Sequence, residues 1–461
     1  KSGDGICIDW GYVYLCASRE AKAGECRASG LKAIFIQDDL DTAVRPETLF
    51  LLGYDDQYSI TYFGEALMAY WKKEGQTIEQ ALSAAYAEYT VVLERCQAFD
   101  ADMTAKATAA GGEKYAHLLQ LALRQVLAAH KLVVDTHGEL LYISKECFSN
   151  GCAATVDISY PSIPLFLLYD PELVKGMMRP VFRYAESTLW PYDFAPHDVG
   201  TYPILNGQAY SGGTDPEGQM PVEECGNLLV MAAAVAQAED NAAFAREHRP
   251  LLDKWAQYLL QNGLDPDNQL CTDDFAGHLA HNCNLSIKAI MGLAGYARLC
   301  DQWGDTAQAQ KYRSAAADMA VVWQERAANG DGSFRLAFDQ SGSYSMKYNA
   351  IWDRIWGTEL FPQKALDAEV ASYAAHMNPY GLPLDNRADY TKSDWLLWTA
   401  ALSSDPAVFE QYVNTLWLAY HKSPSRVPMT DWYSTVTSMQ IAFQNRTVLG
   451  GLWIRLLFSE Q

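Results

Sequence analysis

The chain lacks several features that would assign a protein class directly. It contains no apolar run long enough to cross a membrane, no low-complexity segment and no block of like charges. Basic residues are scarce: 35 Lys and Arg stand against 56 Asp and Glu, which gives a formal net charge of −21. This balance argues against nucleic acids and anionic membrane surfaces as partners, and we expect no membrane insertion.

Motifs of nucleophilic and metal chemistry are missing as well. The sequence has no Cys-x-x-Cys pair and no Gly-x-Ser-x-Gly motif, although it contains 10 cysteines. Cys225, Cys283 and Cys300 lie in or beside apolar segments, where a free thiol packs as a small hydrophobic group. We therefore expect free cysteines, and we expect neither a metal ion nor a cofactor.

The strongest positive feature is a repeated pattern in which polar residues precede an apolar segment. In its clearest form, Pro221 is followed by Glu223 and Glu224 and then by an apolar run from Leu228 to Val235. Proline suits the first turn of a helix, and acidic side chains are favourable there because of the helix dipole. Six markers of the pattern follow one another at steps of about 45 to 67 residues: Asp157, Glu224, Asn282, Asn349, Asp394 and Arg446.

Each step has the length of one helix, a turn and a returning helix. The sequence therefore predicts a mainly α protein, an (α/α)6 six-hairpin toroid whose polar helix starts meet at one end. Helices are expected over 77–110, 114–133, 243–260, 306–328 and 406–420, and strands over 140–144 and 332–338.

The first part of the chain has a different residue pattern, in which short β-prone runs over 7–15 and 31–36 are separated by Gly, Asp and Ser. We expect a β-rich N-terminal segment over 1–65, the end of a larger β-sandwich region of the same precursor. A connecting helical segment over 66–112 and the six-hairpin domain over 113–461 are expected to follow.

The chain resembles the glutaminase A family from about residue 51 to residue 457. The resemblance is carried by many segments, among them 51–56, 144–151, 155–169, 195–208, 220–227, 264–289, 380–395 and 425–432. It implies a six-hairpin domain related to glycosidase barrels, hydrolysis of L-glutamine to L-glutamate and ammonia, and a secreted or periplasmic location.

Carboxylates at the predicted open end suit a direct attack by water. One carboxyl group acts as base and another, with a pKa raised by burial and repulsion, acts as acid. We assign Glu224 to this pair, with Asp157 or Asp274 as its partner. Cations that are candidates to hold a substrate carboxylate are Arg387, Lys392 and Arg426. Further candidate substrate-binding residues are His197, Asp198, Glu223, His281, Asn282, Asn349, Asp385, Asp394 and Asp431.

Aromatic residues beside these polar groups indicate a cleft for a small polar ligand, and both glutamine and a carbohydrate fit. Paired carboxylates in a six-hairpin toroid suit glycoside hydrolysis as well as amide hydrolysis. A glycoside hydrolase is therefore the alternative enzyme, and a binding or scaffold protein is the third interpretation.

Overall fold

The computed structural model describes residues 10–41, 43–44, 47–271, 276–426 and 428–458. Its strands are β1 Tyr12–Cys16, β2 Lys22–Ala28, β3 Leu31–Gln37, β4 Leu51–Asp55, β5 Ile60–Tyr62, β6 Glu65–Leu67, β7 His130–Val134, β8 Leu140–Ser144, β9 Cys152–Ala153, β10 Gly200–Thr201, β11 Ile204–Leu205, β12 Tyr390–Lys392 and β13 Trp432–Ser434.

The α-helices are α1 Ile78–Gly111, α2 Glu113–Ala128, α3 Val156–Tyr169, α4 Pro171–Glu186, α5 Pro221–Ala238, α6 Ala243–Glu247, α7 Arg249–Asn262, α8 Cys283–Gln302, α9 Thr306–Ala327, α10 Ile351–Trp356, α11 Gln363–Ser372, α12 Ser393–Ala400 and α13 Pro406–Lys422. The 3-10 helices are Tyr70–Lys72, Tyr210–Gly212, Tyr348–Ala350, Tyr373–His376 and Thr447–Phe458.

Six buried segments form the inner ring of a toroid. They are α3, α5, α8, the 3-10 turn and helix over 348–356, α12, and the 3-10 helix Thr447–Phe458. Each contacts the next one in this order, and Thr447–Phe458 packs against α3, so the ring closes. The structure thus confirms a mainly α, six-hairpin fold with strands at its N-terminal side.

The outer layer consists of α2, α4, α6 with α7, α9, α11 and α13. Helix α4 shows why these helices lie outside: Val174, Met178 and Val181 are buried on one face, while Lys175 and Arg179 on the other face make ion pairs with Glu172. Such a two-faced pattern is typical of a helix that covers a core. The inner helices, in contrast, are buried on all sides.

Every marker lies at the start of an inner segment. Asp157, Glu224 and Asp394 are in the first turns of α3, α5 and α12, and Asn282 caps α8. Asn349 lies in the 3-10 turn Tyr348–Ala350, and Arg446 precedes Thr447 directly. Because each inner helix is followed by an outer return, these starts lie at the same end of the toroid.

Two of the N-terminal strands, β5 and β6, form one sheet with strands of the helical part of the chain. β1 pairs with β4 and β2 pairs with β3, whereas β5 and β6 belong to a five-stranded sheet with β11, β10 and β9. β5 runs parallel to β11, and the backbone N–H of Thr61 donates to the Pro203 carbonyl at 2.9 Å. The N–H of Phe63 donates to the Leu205 carbonyl at 2.8 Å.

The secondary structure differs from the sequence prediction at three places. The helix expected over 114–133 ends at Ala128, because the following residues pair as β7 with β8. The helix expected over 243–260 breaks at His248, just before Pro250, whose ring disfavours helix continuation. The strand expected over 332–338 is wrong, since Phe334 and Ala337 make only isolated bridges to Ala328 and Asn282.

The helices expected near 77–110, 306–328 and 406–420 and the strand over 140–144 are confirmed. The cysteines in the described part of the chain are free thiols, as expected. Among the described helices, none has both the length and the hydropathy of a membrane-crossing segment.

Candidate functional site

Asp157, His197 and Glu224 meet at the polar end of the toroid, and we call them the acid–base group. One side-chain N or O atom from each lies within 4.8 Å of the others. Asp157 and Glu224 come from the starts of neighbouring inner helices, while His197 lies in the loop between α4 and β10. The backbone N–H of Val156 donates to the His197 carbonyl at 2.8 Å, which ties this loop to the start of α3.

The ring of His197 is fixed in its orientation. Its Nδ1 lies 3.0 Å from Asp198 Oδ2, and its Nε2 lies 3.5 Å from Asp157 Oδ1. The ring also stacks on Tyr210 with a centroid distance of 4.1 Å. The carboxylate of Asp198 in turn accepts backbone N–H bonds from Gly200, Ala209 and Tyr210 at 2.8, 2.8 and 3.0 Å. Asp198 therefore positions the imidazole.

Burial lowers the pKa of His197, but the negative charges of Asp157 and Asp198 outweigh this effect and raise it to about 10. A pKa raised on folding contributes stability that is complete below the ordinary value of 6.5 and is lost as the pH rises through about 10. The free energy of unfolding should therefore fall across this range. We measure the free energy of unfolding by denaturant titration at a series of pH values. In His197→Gln this free energy should depend less on pH than in the wild type. In the control variant His278→Gln, which changes an exposed residue, the pH dependence should be that of the wild type.

Glu223 and Glu224 are both fully buried but have different neighbours. Glu223 Oε1 accepts from the Lys288 ammonium, and the amide nitrogen of Asn227 donates to Glu223 at 3.1 Å and to Glu224 at 3.0 Å. Burial and the nearby charge of Asp157 raise the pKa of Glu224 well above its ordinary value. Both effects favour the protonated form of Glu224. Burial also raises the pKa of Glu223, although Lys288 opposes the shift.

A second buried set lies beside the acid–base group, and we call it the arginine cluster: Glu146, Lys392, Asp394, Asp431 and Arg446. Arg446 donates to Asp431 through Nε at 3.1 Å and Nη2 at 2.5 Å, and to Glu146 through Nη1 at 3.3 Å. Lys392 Nζ lies 3.2 Å from Asp394 and 3.7 Å from Asp431. Burial and Asp431 raise the pKa of Asp394 to about 6, although Lys392 opposes them.

The two sets are adjacent, because Glu146 interacts electrostatically with Asp157 and His197. Asn349 lies on the side of Glu223 and Lys288. Asn349 Oδ1 accepts from the Tyr160 hydroxyl at 3.0 Å, and its Nδ2 donates to the Asn284 carbonyl at 3.1 Å. Lys288 lies over the Tyr160 ring at 4.6 Å. The structure thus brings together Asp157, His197, Asp198, Glu223, Glu224, Asn349, Lys392, Asp394 and Asp431 of the predicted site residues.

The other predicted site residues have local contacts. Asn282 accepts the N–H groups of Asn284 and Leu285 as the cap of α8, at 2.9 and 3.0 Å. His281 is half-exposed and pairs with Asp265 at 2.7 Å. Arg387 pairs with Asp385 at 2.6 Å, and Arg426 is exposed. Asp274 lies outside the described residues. A catalytic role stays a prediction for Asp274, and a role in substrate binding stays a prediction for the others.

Sequence reasoning missed Lys288, Asn227, Glu146 and Cys152, and it used Arg446 only as a marker of the repeat. Lys288 is the clearest case, because it is the one cation in the apolar run over 285–297, and such a residue is a signal of a buried ion pair. Asn227 was part of the opening motif, but its contact with both glutamates is visible only in three dimensions.

Cys152 has a thiol close to His197 and Asp198, with the three side-chain atoms within 4.8 Å of one another. Such a grouping resembles a thiol–imidazole pair, but burial and the charge of Asp198 raise the pKa of the Cys152 thiol, so it stays protonated. We expect Cys152→Ala to retain activity within about threefold in a turnover assay. A loss of a hundredfold or more, with an unchanged circular dichroism spectrum, would identify Cys152 as a nucleophile.

Comparison with known proteins agrees with this architecture. A family model described as the glutaminase A six helical-hairpin domain matches residues 112–456, and a model of a domain of unknown function matches residues 35–106. Glutaminase A of Aspergillus oryzae is 33% identical over 424 residues, covering 89% of this chain and 60% of that protein. A probable glutaminase of Arthroderma benhamiae is 25% identical over 486 positions, covering 85% of this chain and 55% of that protein.

The chain thus spans 60% and 55% of the length of these two relatives. A solved structure titled as a wild-type glycosidase superposes with a TM-score of 0.53 at 13% identity, covering 76% of this chain and 97% of that chain. This likeness concerns the fold alone. Because the six-hairpin model matches well over half of the sequence, the chain belongs to the glutaminase A family.

Proposed function

We propose that the protein is a hydrolase that cleaves the side-chain amide of L-glutamine to L-glutamate and ammonia. Membership of the glutaminase A family supports the substrate. The observation that carries the chemistry is the pairing of Asp157 with Glu224 at two neighbouring inner helix starts. Glu224 Oε1 is buried and has no hydrogen-bond partner among the described residues, so it is available to a reacting group, and Asp157 Oδ1 has the long contact with His197 Nε2 at 3.5 Å.

Glu224 is assigned the role of general acid. Its side chain is fully buried, and the charge of Asp157 beside it favours the protonated form. The amide nitrogen of Asn227 holds Oε2, which leaves Oε1 for the proton. Glu224 then gives this proton to the leaving amide nitrogen as the carbon–nitrogen bond breaks, so that ammonia departs as a neutral molecule.

Asp157 is assigned the role of general base. Its side chain is 11% exposed, compared with 4% for His197, so it is the member of the group most open to water. Asp157 takes a proton from the water molecule whose oxygen bonds to the amide carbon. A positively charged His197 beside the pair stabilises the negative charge that develops during this attack.

Glycoside hydrolysis is the second candidate, and the spacing of the carboxyl groups bears on it. An atom of Asp157 and an atom of Glu224 lie within 4.8 Å of each other. Retaining glycosidases separate their carboxyl groups by about 5–5.5 Å, and inverting enzymes by about 6.5–9.5 Å. The close approach of the two groups is nearer to the spacing of a retaining mechanism than to that of an inverting one.

Two assays run side by side distinguish the candidates. Ammonia release from L-glutamine is followed with a coupled glutamate dehydrogenase assay, and nitrophenol release is followed across a panel of aryl glycosides. Ammonia without nitrophenol is the expected result. Nitrophenol without ammonia would replace the amidohydrolase with a glycosidase, and silence in both assays would favour the binding or scaffold protein.

A further inference from the structure

The arginine cluster has more hydrogen-bond acceptors than its own cations satisfy. Glu146 Oε2 and Asp394 Oδ1 are buried and unpartnered within the described ranges. Glu146 is 5% exposed and Asp394 is 0% exposed, so bulk water does not serve these oxygens. A buried carboxylate oxygen left without a donor has lost its hydration without compensation, so such atoms are uncommon unless a ligand or an ordered water serves them.

The cations of the cluster are already engaged. Each of the three guanidinium nitrogens of Arg446 donates to Asp431 or Glu146, and Lys392 lies between Asp394 and Asp431. Three carboxyl groups thus share two cations. What the cluster can still offer a ligand is negative charge and acceptor atoms, so it is suited to a group that donates hydrogen bonds and carries positive charge.

The acid–base group shows the same bias. The unpartnered buried atoms of its neighbours Glu223 and Asn227, Oε2 and Oδ1, are hydrogen-bond acceptors as well, and Asp157 adds a carboxylate beside them. Glu146 interacts electrostatically with both Asp157 and His197, which places the arginine cluster next to the reacting groups. The ligand of the whole site therefore has donor groups at two neighbouring positions.

We propose that the arginine cluster binds the α-ammonium group of the substrate through Glu146 and Asp394, while the side-chain amide lies at the acid–base group. This inference rests on the proposed function. Free L-glutamine carries both donor groups, an ammonium and a primary amide. The α-carboxylate would be repelled by the unpaired oxygens, so it points away from the arginine cluster.

Substrate analogues test this directly through ammonia release. Glutaramate lacks the α-amine and keeps the carboxylate and the amide, whereas L-glutamine methyl ester keeps the amine and loses the carboxylate charge. The kcat/KM of glutaramate should lie at least about 30-fold below that of L-glutamine, and the ester should lie within about tenfold. The reverse order would overturn the proposal.

A variant locates the effect. Asp394→Asn should bring the ratio of kcat/KM values for L-glutamine and glutaramate to within about fivefold, because the charge that distinguishes them is removed. Asp301→Asn is the matched control, since Asp301 pairs with Arg313 on the outer surface, and it should keep the wild-type ratio. An equal loss on both substrates in Asp394→Asn would show a structural role and overturn the assignment.

Equilibrium binding keeps the inference separate from the proposed reaction. By isothermal titration calorimetry, the wild-type protein should bind L-glutamate at least about tenfold more tightly than glutarate. Absence of ammonia release from L-glutamine would refute the proposed function and leave this measurement intact. Equal affinities for L-glutamate and glutarate would refute the ammonium site.

Discussion

Glu224→Gln should lower kcat by about 10²–10⁴-fold, the usual contribution of a general acid or base, with little change in substrate affinity. The glutamine side chain introduced at position 224 has nearly the same shape as glutamate and can keep the hydrogen bond from Asn227. It has no acidic proton to give to the leaving nitrogen of the substrate. The measurement is a steady-state titration of ammonia release against L-glutamine concentration, together with calorimetric binding of L-glutamate.

Glu247→Gln, on the exposed surface of α6, is the matched control and should behave as wild type. The pH profile gives a second check, because activity that needs protonated Glu224 falls as the pH rises through its raised pKa. Near-normal turnover in Glu224→Gln would mean that the acidic start of α5 serves the helix and not the reaction.

Arg446→Leu should destabilise the fold by about 3–5 kcal/mol, because it leaves Asp431 and Glu146 buried without their cation. Arg446 is 2% exposed and makes bonds to both carboxylates. Arg313→Leu is the matched control. The Arg313 side chain is 51% exposed and pairs with a surface aspartate, so its loss should cost no more than about 1 kcal/mol.

Urea unfolding followed by tryptophan fluorescence measures both variants, and the midpoint of Arg446→Leu should be the lower one. Equal midpoints would show that Arg446 contributes no more to the stability of the fold than the exposed Arg313 does. The pKa of Asp431 also reflects its ion pair with Arg446. Burial raises this pKa, but the charge of Arg446 outweighs burial and holds it below its ordinary value.

The sequence revealed the fold because one local signal marks each inner segment. An acidic residue at a helix start interacts favourably with the helix dipole and also lies at the open end of the toroid, so the same positions indicated both the architecture and the site. Asp157, Glu224 and Asp394 were found for this reason. The alternation of apolar and polar residues over 332–338 predicted a strand, but nothing else in the sequence supported it. Without a neighbouring strand to pair with, this segment forms a loop.

Local sequence patterns could not predict which side chains of distant segments contact each other. The partner of Lys288 is Glu223, which lies 65 residues earlier on the adjacent inner helix. The histidine at position 197 was a candidate from its loop, but its closeness to Asp157 depends on how that loop folds over α3. Arg387, expected at a substrate carboxylate, has an aspartate two residues before it in the sequence, and that local pairing is what the structure shows.

The pairing of β5 with β11 has a consequence for the modular organisation of the chain. The two family models meet near residue 110, which suggests a natural point for dissection. The parallel strand that supports the His197 loop, however, comes from the far side of that point. A recombinant piece beginning at residue 112 would expose the apolar edge of Ile204 and Leu205, and such bare edges promote aggregation. We therefore expect that the boundary between the family models is not a boundary of folding.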